Sequence, residues 1–162
     1  LEVSPSQIRL PVKGMAITLN GIAQGYITDR IADLMHNSGH DRVLVQMGEI
    51  HGRAPNNQPW RIGLDGLSDQ VSLTTGAVAT SSGSGTKFSN TANHLINPSN
   101  GTSPGHYNSV SIIAARAMTA DAISTAIYTA AKSLSAEISS ASGIQGFVLE
   151  HADGRIERSW DS

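Results

Sequence analysis

The sequence predicts an α+β fold with a largely antiparallel sheet and packed helices. Three observations carry this reading. Two segments repeat apolar residues at helical spacing, the other apolar runs are short and bounded by turn residues, and several neighbouring runs are spaced as hairpins rather than crossovers.

Residues 1–18 read as extended, broken at Pro5 and Pro11, with Ile8, Leu10 and Val12 on one face. Asn20 is then an N-cap for the clearest helix, in which Ile22, Ala23, Ile27, Ile31, Leu34 and Met35 recur at helical spacing and Gly39 is the natural stop. Strands are expected at Arg42 to Met47 and Trp60 to Leu64, separated by Ala54-Pro55-Asn56-Asn57. Val71 to Ser82 holds one or two more, and Ser81 to Gly85 forms a Gly/Ser-rich bend. A polar stretch from Ser89 to Asn108 carries Pro98, Asn100-Gly101 and Pro104-Gly105, and a loop of that length is usually functional or disordered. Val110 to Ala114 is a short strand, and Ala120 to Lys132 a helix with Ile123, Ile127 and Ala131 on one stripe. A short helix around Leu134 to Ser142 and a hairpin of Gly146 to Glu150 against Arg155 to Arg158, turning at Asp153-Gly154, complete the chain. No repeat or linker divides it, so residues 1–162 read as one domain.

Composition narrows the function. With 11 Lys+Arg against 13 Asp+Glu the net charge is −2, and no basic cluster marks a phosphate-backbone track, which argues against nucleic acid. No cysteine is present, so disulfides, thiolate zinc sites and a cysteine nucleophile are excluded. Charge interrupts every long apolar stretch short of the roughly 18 residues a membrane span needs. The chain opens Leu1-Glu2-Val3, without an initiator methionine or a leader pattern, so any targeting segment is expected outside it.

Most candidate chemistry has an ordinary explanation. His36 and His40 have the spacing of a helical zinc pair, but Gly39 ends the helix between them and no glutamate follows His36. Gly83-Ser84-Gly85 starts like a dinucleotide loop, yet Phe88 stands where the third glycine belongs. The triplet Asn100-Gly101-Thr102 fits a glycosylation sequon and says nothing of activity. Asp121 and Thr125 differ in kind, because their i, i+4 spacing puts a carboxylate and a hydroxyl on one helical face. Such hard oxygens suit magnesium or calcium. On spacing alone, an aspartate favoured by the helix dipole and a back-bonding threonine are the favoured explanation of the pair.

A set of segments in one order adds weight to that pair. Leu19-Asn20-Gly21-Ile22-Ala23-Gln24-Gly25-Tyr26 with Asp29, Val45-Gln46-Met47-Gly48-Glu49-Ile50 and Pro59-Trp60-Arg61-Ile62-Gly63 come first. Ala77-Val78-Ala79-Thr80-Ser81-Ser82-Gly83, Asn93-His94-Leu95-Ile96-Asn97-Pro98 with Gly101, Ser109-Val110-Ser111 and Ala120-Asp121-Ala122-Ile123-Ser124-Thr125 follow. Together they resemble the successive blocks of the ApbE family, the FAD:protein FMN transferases, from about Leu19 to Ala131. Family members are normally longer, so this chain resembles the C-terminal portion of one. It departs from the pattern where Thr18 replaces an aspartate, Asn20 a glycine, Gln24 a lysine and Asn97 an aspartate, and Glu49 stands where many members have a second glycine.

The resemblance implies a T-fold-like flavin transferase that moves the FMN part of FAD to a threonine or serine hydroxyl of a partner flavoprotein, releasing AMP. It further implies Mg²⁺ held by Asp121, Thr125 and the backbone carbonyl of Ala23. His94 is the expected base, and Thr80, Ser81, Ser82, Gly83, Asp29 and His94 the expected nucleotide contacts. The same residues leave open an FAD pyrophosphatase using water, or a flavin-binding remnant without catalysis. A periplasmic or inner-membrane-associated location is expected by the same resemblance, with a cytoplasmic one as the alternative. A homodimer, or pairing with an N-terminal fragment, is expected to cover the edge that a missing portion would expose.

Overall fold

A computed structural model describes residues 1–55, 58–64, 67, 70–130 and 143–160. The hairpin of β1 (Glu2–Ser4) and β2 (Gln7–Arg9) leads into helix α1 (Asn20–Asn37). Strands β3 (Val43–Gln46), β4 (Ile50–Arg53), β5 (Trp60–Gly63), β6 (Gln70–Leu73) and β7 (Thr75–Ser82) follow. After a long loop come β8 (Tyr107–Ala114), α2 (Ala117–Thr129), β9 (Ile144–His151) and β10 (Ile156–Trp160). The expected short helix over 134–142 lies outside the described residues, as do Ala131 and Lys132.

The α+β expectation holds. Six strands form one sheet in the order β10-β9-β8-β7-β4-β3, every neighbour antiparallel, while β5 and β6 form a separate hairpin. Successive side chains point to opposite faces of a strand, and this pleat sorts the core into two layers. Val78, Ile113 and Val148 pack with Ile62, Leu64, Val71 and Leu73 beneath the β5–β6 hairpin. Ala79, Val110, Ile112 and Leu149 face the other way, against Ala120, Ile127 and Tyr128 of α2.

Three expectations change. Asn20 is not the cap of α1: Leu19 holds that position, and the Asn20 N–H donates to Thr18 Oγ1 at 3.2 Å. Strand β4 went unpredicted because Ile50-His51-Gly52-Arg53 has one large apolar residue and shows no alternation to read. The third change concerns the buried face of α1, which consists of Gly25, Thr28, Asp29 and Ala32. Ile27, Leu34 and Met35 of the apolar stripe are exposed, and so are Ile8, Leu10 and Val12 of the first segment. Periodicity identified the helix correctly, but close packing on α2 selects small residues for the contact.

Candidate functional site

The α1–α2 contact is the base of the site. Two glycines one turn apart permit it: a Cβ on Gly21 would come within 2.9 Å of Thr125 Cγ2, and one on Gly25 would press on the Ala117 carbonyl and lie 2.8 Å from Asp121 Cβ. At this approach the Gly25 N–H donates to Asp121 Oδ2 at 2.9 Å. Gly25→Ala should therefore destabilise the chain by about 1–3 kcal/mol through overpacking, even though alanine is the better helix former. Urea unfolding checks this, and an unchanged midpoint would count against the close contact.

Asp29 sets the start of α2. Its buried carboxylate accepts the backbone N–H groups of Ala117 at 2.8 Å and Met118 at 3.0 Å, supplying from α1 the capping that Arg116, in extended conformation, does not give. His51 Nδ1 donates to the same carboxylate at 2.6 Å, and Arg116 Nε lies 3.3 Å from it. Arg116 also grips Asp33 through two hydrogen bonds of 3.1 and 2.9 Å, which holds the Asp33 carboxyl below its ordinary range. Asp29, expected at the nucleotide, thus has both oxygens committed to protein groups and is only 1% exposed.

The first turns of α2 then carry Asp121, Ser124 and Thr125 to the sheet. The pleat of β7 turns Ser81 toward them, where Ser81 Oγ lies 2.9 Å from Ser124 Oγ and 3.2 Å from Thr125 Oγ1. Thr80 and Ser82 point to the opposite face, Thr80 to Ser111 Oγ at 2.8 Å and Ser82 to the Asn108 carbonyl at 3.0 Å. Gly83 abuts the Tyr128 hydroxyl and Asn93. Of the expected nucleotide contacts, Ser81 meets Thr125, while Thr80, Ser82 and Gly83 line a cleft of about 640 Å³ with Tyr107, Tyr128 and the 84–105 loop. His94 sits exposed on that loop, outside the lining residues, its ring Nδ1 3.3 Å from the Thr86 carbonyl. Ala23 lies on α1 between Gly21 and Gly25, the two glycines at which the helix touches α2.

One residue of the site was read only as a departure from the family pattern. Ile50 packs on the hairpin side of the sheet, so the pleat directs Glu49 and His51 to the helix side. The turn before Glu49 is pinned from α1, where Gln24 Nε2 donates to the Met47 carbonyl at 2.7 Å over Gly48, whose φ of +99° suits glycine. Glu49 is 8% exposed, and its Oε2 has no partner among the described residues. Burial pushes its carboxyl up to about 7, the Asp121 charge acting the same way and the Thr80 amide opposing both. Burial raises Asp121 as well, against the Gly25 N–H that favours its charged form. A sequence signal for Glu49 does exist, in Glu49-x-His51 at the start of a strand, but it shows only once β4 is recognised.

That raised carboxyl has a consequence for stability. The unfolded chain releases the Glu49 proton near 4.5, and the folded chain keeps it until about 7. Its contribution is complete below 4.5 and is lost as pH rises to 7. In EDTA, the parent should lose on the order of 3 kcal/mol relative to Glu49→Gln across this window, as read by urea unfolding at both ends. A constant difference between the two proteins would refute it.

Asp121 and Thr125 on one face of α2, the Ser81 and Ser124 hydroxyls bonded beside Thr125 and the unpartnered Glu49 Oε2 on the helix side of the sheet all offer hard oxygens. Among the described residues no three His, Cys, Asp or Glu side chains converge, which disfavours zinc. The set fits Mg²⁺ or a similar hard cation that retains waters.

The comparisons with known proteins bear on the family and the fold. Residues 1–147 match the ApbE family. The FAD:protein FMN transferase of Treponema pallidum is 28% identical over 148 residues, covering 77% of this chain and 41% of the relative. That of Escherichia coli K12 is 26% identical over 162 residues, covering 90% and 45%. The crystal structure of the ApbE protein from Thermotoga maritima superposes with a TM-score of 0.80 at 31% identity, over 91% of this chain and 52% of that one. The chain spans less than half the length of the curated relatives it matches. Ordered sequence blocks, the antiparallel fold and a family match across nearly the whole chain lead to one assignment: this chain belongs to the ApbE family.

Proposed function

We propose that the chain belongs to an enzyme that transfers FMN from FAD to a threonine or serine hydroxyl of a partner flavoprotein. The observation that carries this reading is that α2 sets Asp121 against Gly25 of α1 and, one turn on, brings Ser124 and Thr125 to Ser81. The names of the relatives, FAD:protein FMN transferase, supply the reaction class. In that reaction the acceptor oxygen forms a bond to the FMN phosphorus, the bond from that phosphorus to the bridging oxygen breaks, and AMP leaves with the bridging oxygen.

The chain's own residues divide the work. Asp121 and Thr125 would hold Mg²⁺, with Ser124 and Ser81 ordering the hydroxyls around them. When bound, the ion supplies charge neutralisation to the pyrophosphate. His94 would take the acceptor's proton. Its Nδ1 faces a carbonyl, which can only accept, so the hydrogen belongs on Nδ1 and the Nε2 lone pair is available. Thr80, Ser82 and Gly83 would present small groups and backbone to the nucleotide from the cleft wall. The exposed apolar residues of β1–β2 and the outer face of α1 support association with a second copy or an N-terminal fragment.

Incubation of the chain with FAD, Mg²⁺ and a flavoprotein acceptor, followed by mass spectrometry, tests the proposal. Added FMN on the acceptor with stoichiometric AMP is the expected result. AMP without modified acceptor would replace transfer by hydrolysis, and tight FAD binding without AMP would leave only flavin binding.

A further inference from the structure

We propose that Glu49 is a second carboxylate of the cation site, so that the chain captures a divalent cation between Glu49 and Asp121 before FAD arrives. The inference rests on the reading of Asp121 and Thr125 as a cation site and deepens it.

Solvation is the first reason. A carboxylate oxygen buried without a hydrogen-bond donor is costly, and folded proteins rarely tolerate one unless a proton, an ion or a ligand completes it. Glu49 Oε2 is such an oxygen: the residue is more than nine-tenths buried, Oε2 has no partner, and among the described residues Glu49 makes no ion pair. The second is direction. With Ile50 packed on the hairpin side and paired with Val78, the register places Glu49 on the helix side opposite Ala79, on the face where Ser81 meets Ser124 and Thr125 of α2. The third is positioning. Gln24 fixes the turn that precedes Glu49, and Gly25, one residue on, fixes Asp121, so a single turn of α1 sets both acids. Gln24 is neutral and its amide is spent on Met47, so it leaves the charge of Glu49 uncompensated.

Charge then decides the order of binding. Asp121 alone would leave a divalent ion with an excess positive charge, and substrate phosphate would have to complete the site. Two carboxylates neutralise the ion without substrate, and three hydroxyls nearby offer further hard oxygens. The metal would therefore be in place when the nucleotide binds.

Mn²⁺ binding to the 162-residue chain, followed by electron paramagnetic resonance of the free ion without FAD, tests this. One Mn²⁺ should bind the parent, and Glu49→Gln should weaken it by about 10–100-fold, a loss of the size seen when groups supporting a metal site are removed. Unfolding in EDTA reports whether the variant is folded. If Glu49→Gln does not fold, Glu49→Gly is measured instead, with the same expectation. Parental Mn²⁺ affinity in the folded Glu49 variant, with affinity lost in Asp121→Asn, overturns the proposal and leaves the Asp121 site standing. So does a parent that binds Mn²⁺ only once FAD is added. Parental affinity in Asp121→Asn as well would overturn the cation reading itself.

Discussion

Asp121→Ala is expected to lower metal-dependent FAD turnover by about 10³-fold or more, since an ion that neutralises a reacting pyrophosphate contributes several kcal/mol. Asp121 is the carboxylate of the site on α2, and the Gly25 N–H holds it in place from α1. Alanine removes the ligand and also strands that N–H, which costs about 1–3 kcal/mol of stability. Asn keeps an oxygen for the Gly25 N–H, so Asp121→Asn should retain near-parental stability and still lose turnover. AMP release with Mg²⁺, measured beside urea unfolding, separates the two effects. Two folded variants that release AMP at the parental rate would reduce α2 to a core element.

His94→Gln should lower the transfer rate by roughly 10²–10⁴-fold while leaving FAD affinity largely intact. The reason lies in where the ring sits. The His94 backbone N–H donates to the Thr86 carbonyl at 3.1 Å and the ring Nδ1 approaches the same oxygen, which fixes the imidazole on the loop beside the cleft. Exposed there, it can meet an incoming acceptor hydroxyl. Glutamine can keep the carbonyl contact through its amide but cannot take a proton. Equal losses in rate and FAD affinity would make His94 a nucleotide contact, and unchanged kinetics would remove it from the site.

What was legible depended on how local each signal is. Alternating runs and turn residues act within a few positions, so strands β6 and β7 and the β9–β10 hairpin could be read directly, the hairpin from Asp153-Gly154. The Asp121–Thr125 pair was visible for the same reason, as four residues on one helix are neighbours whatever surrounds them. Strand β4 was not, because its edge-to-edge partners β3 and β7 make it a strand while its own residues show no period. Helix α1 was half legible. Its periodicity was sound, but the exposed Ile27 and Leu34 show that the largest apolar stripe need not be the packed one.

The sequence by itself determined the α+β class, the family and the residues of one helical face. Only the tertiary structure decided the rest of the site. It turned Ser81 rather than Thr80 toward Thr125, made Asp29 the cap of another helix, and brought Glu49 to the Asp121 side of the sheet. The physical reason is separation along the chain. Gly25 and Asp121 are 96 positions apart, and the bond between them forms only because two glycines let the helices touch. No local preference encodes that approach; it emerges when burial of both sheet faces forces the two helices into one layer.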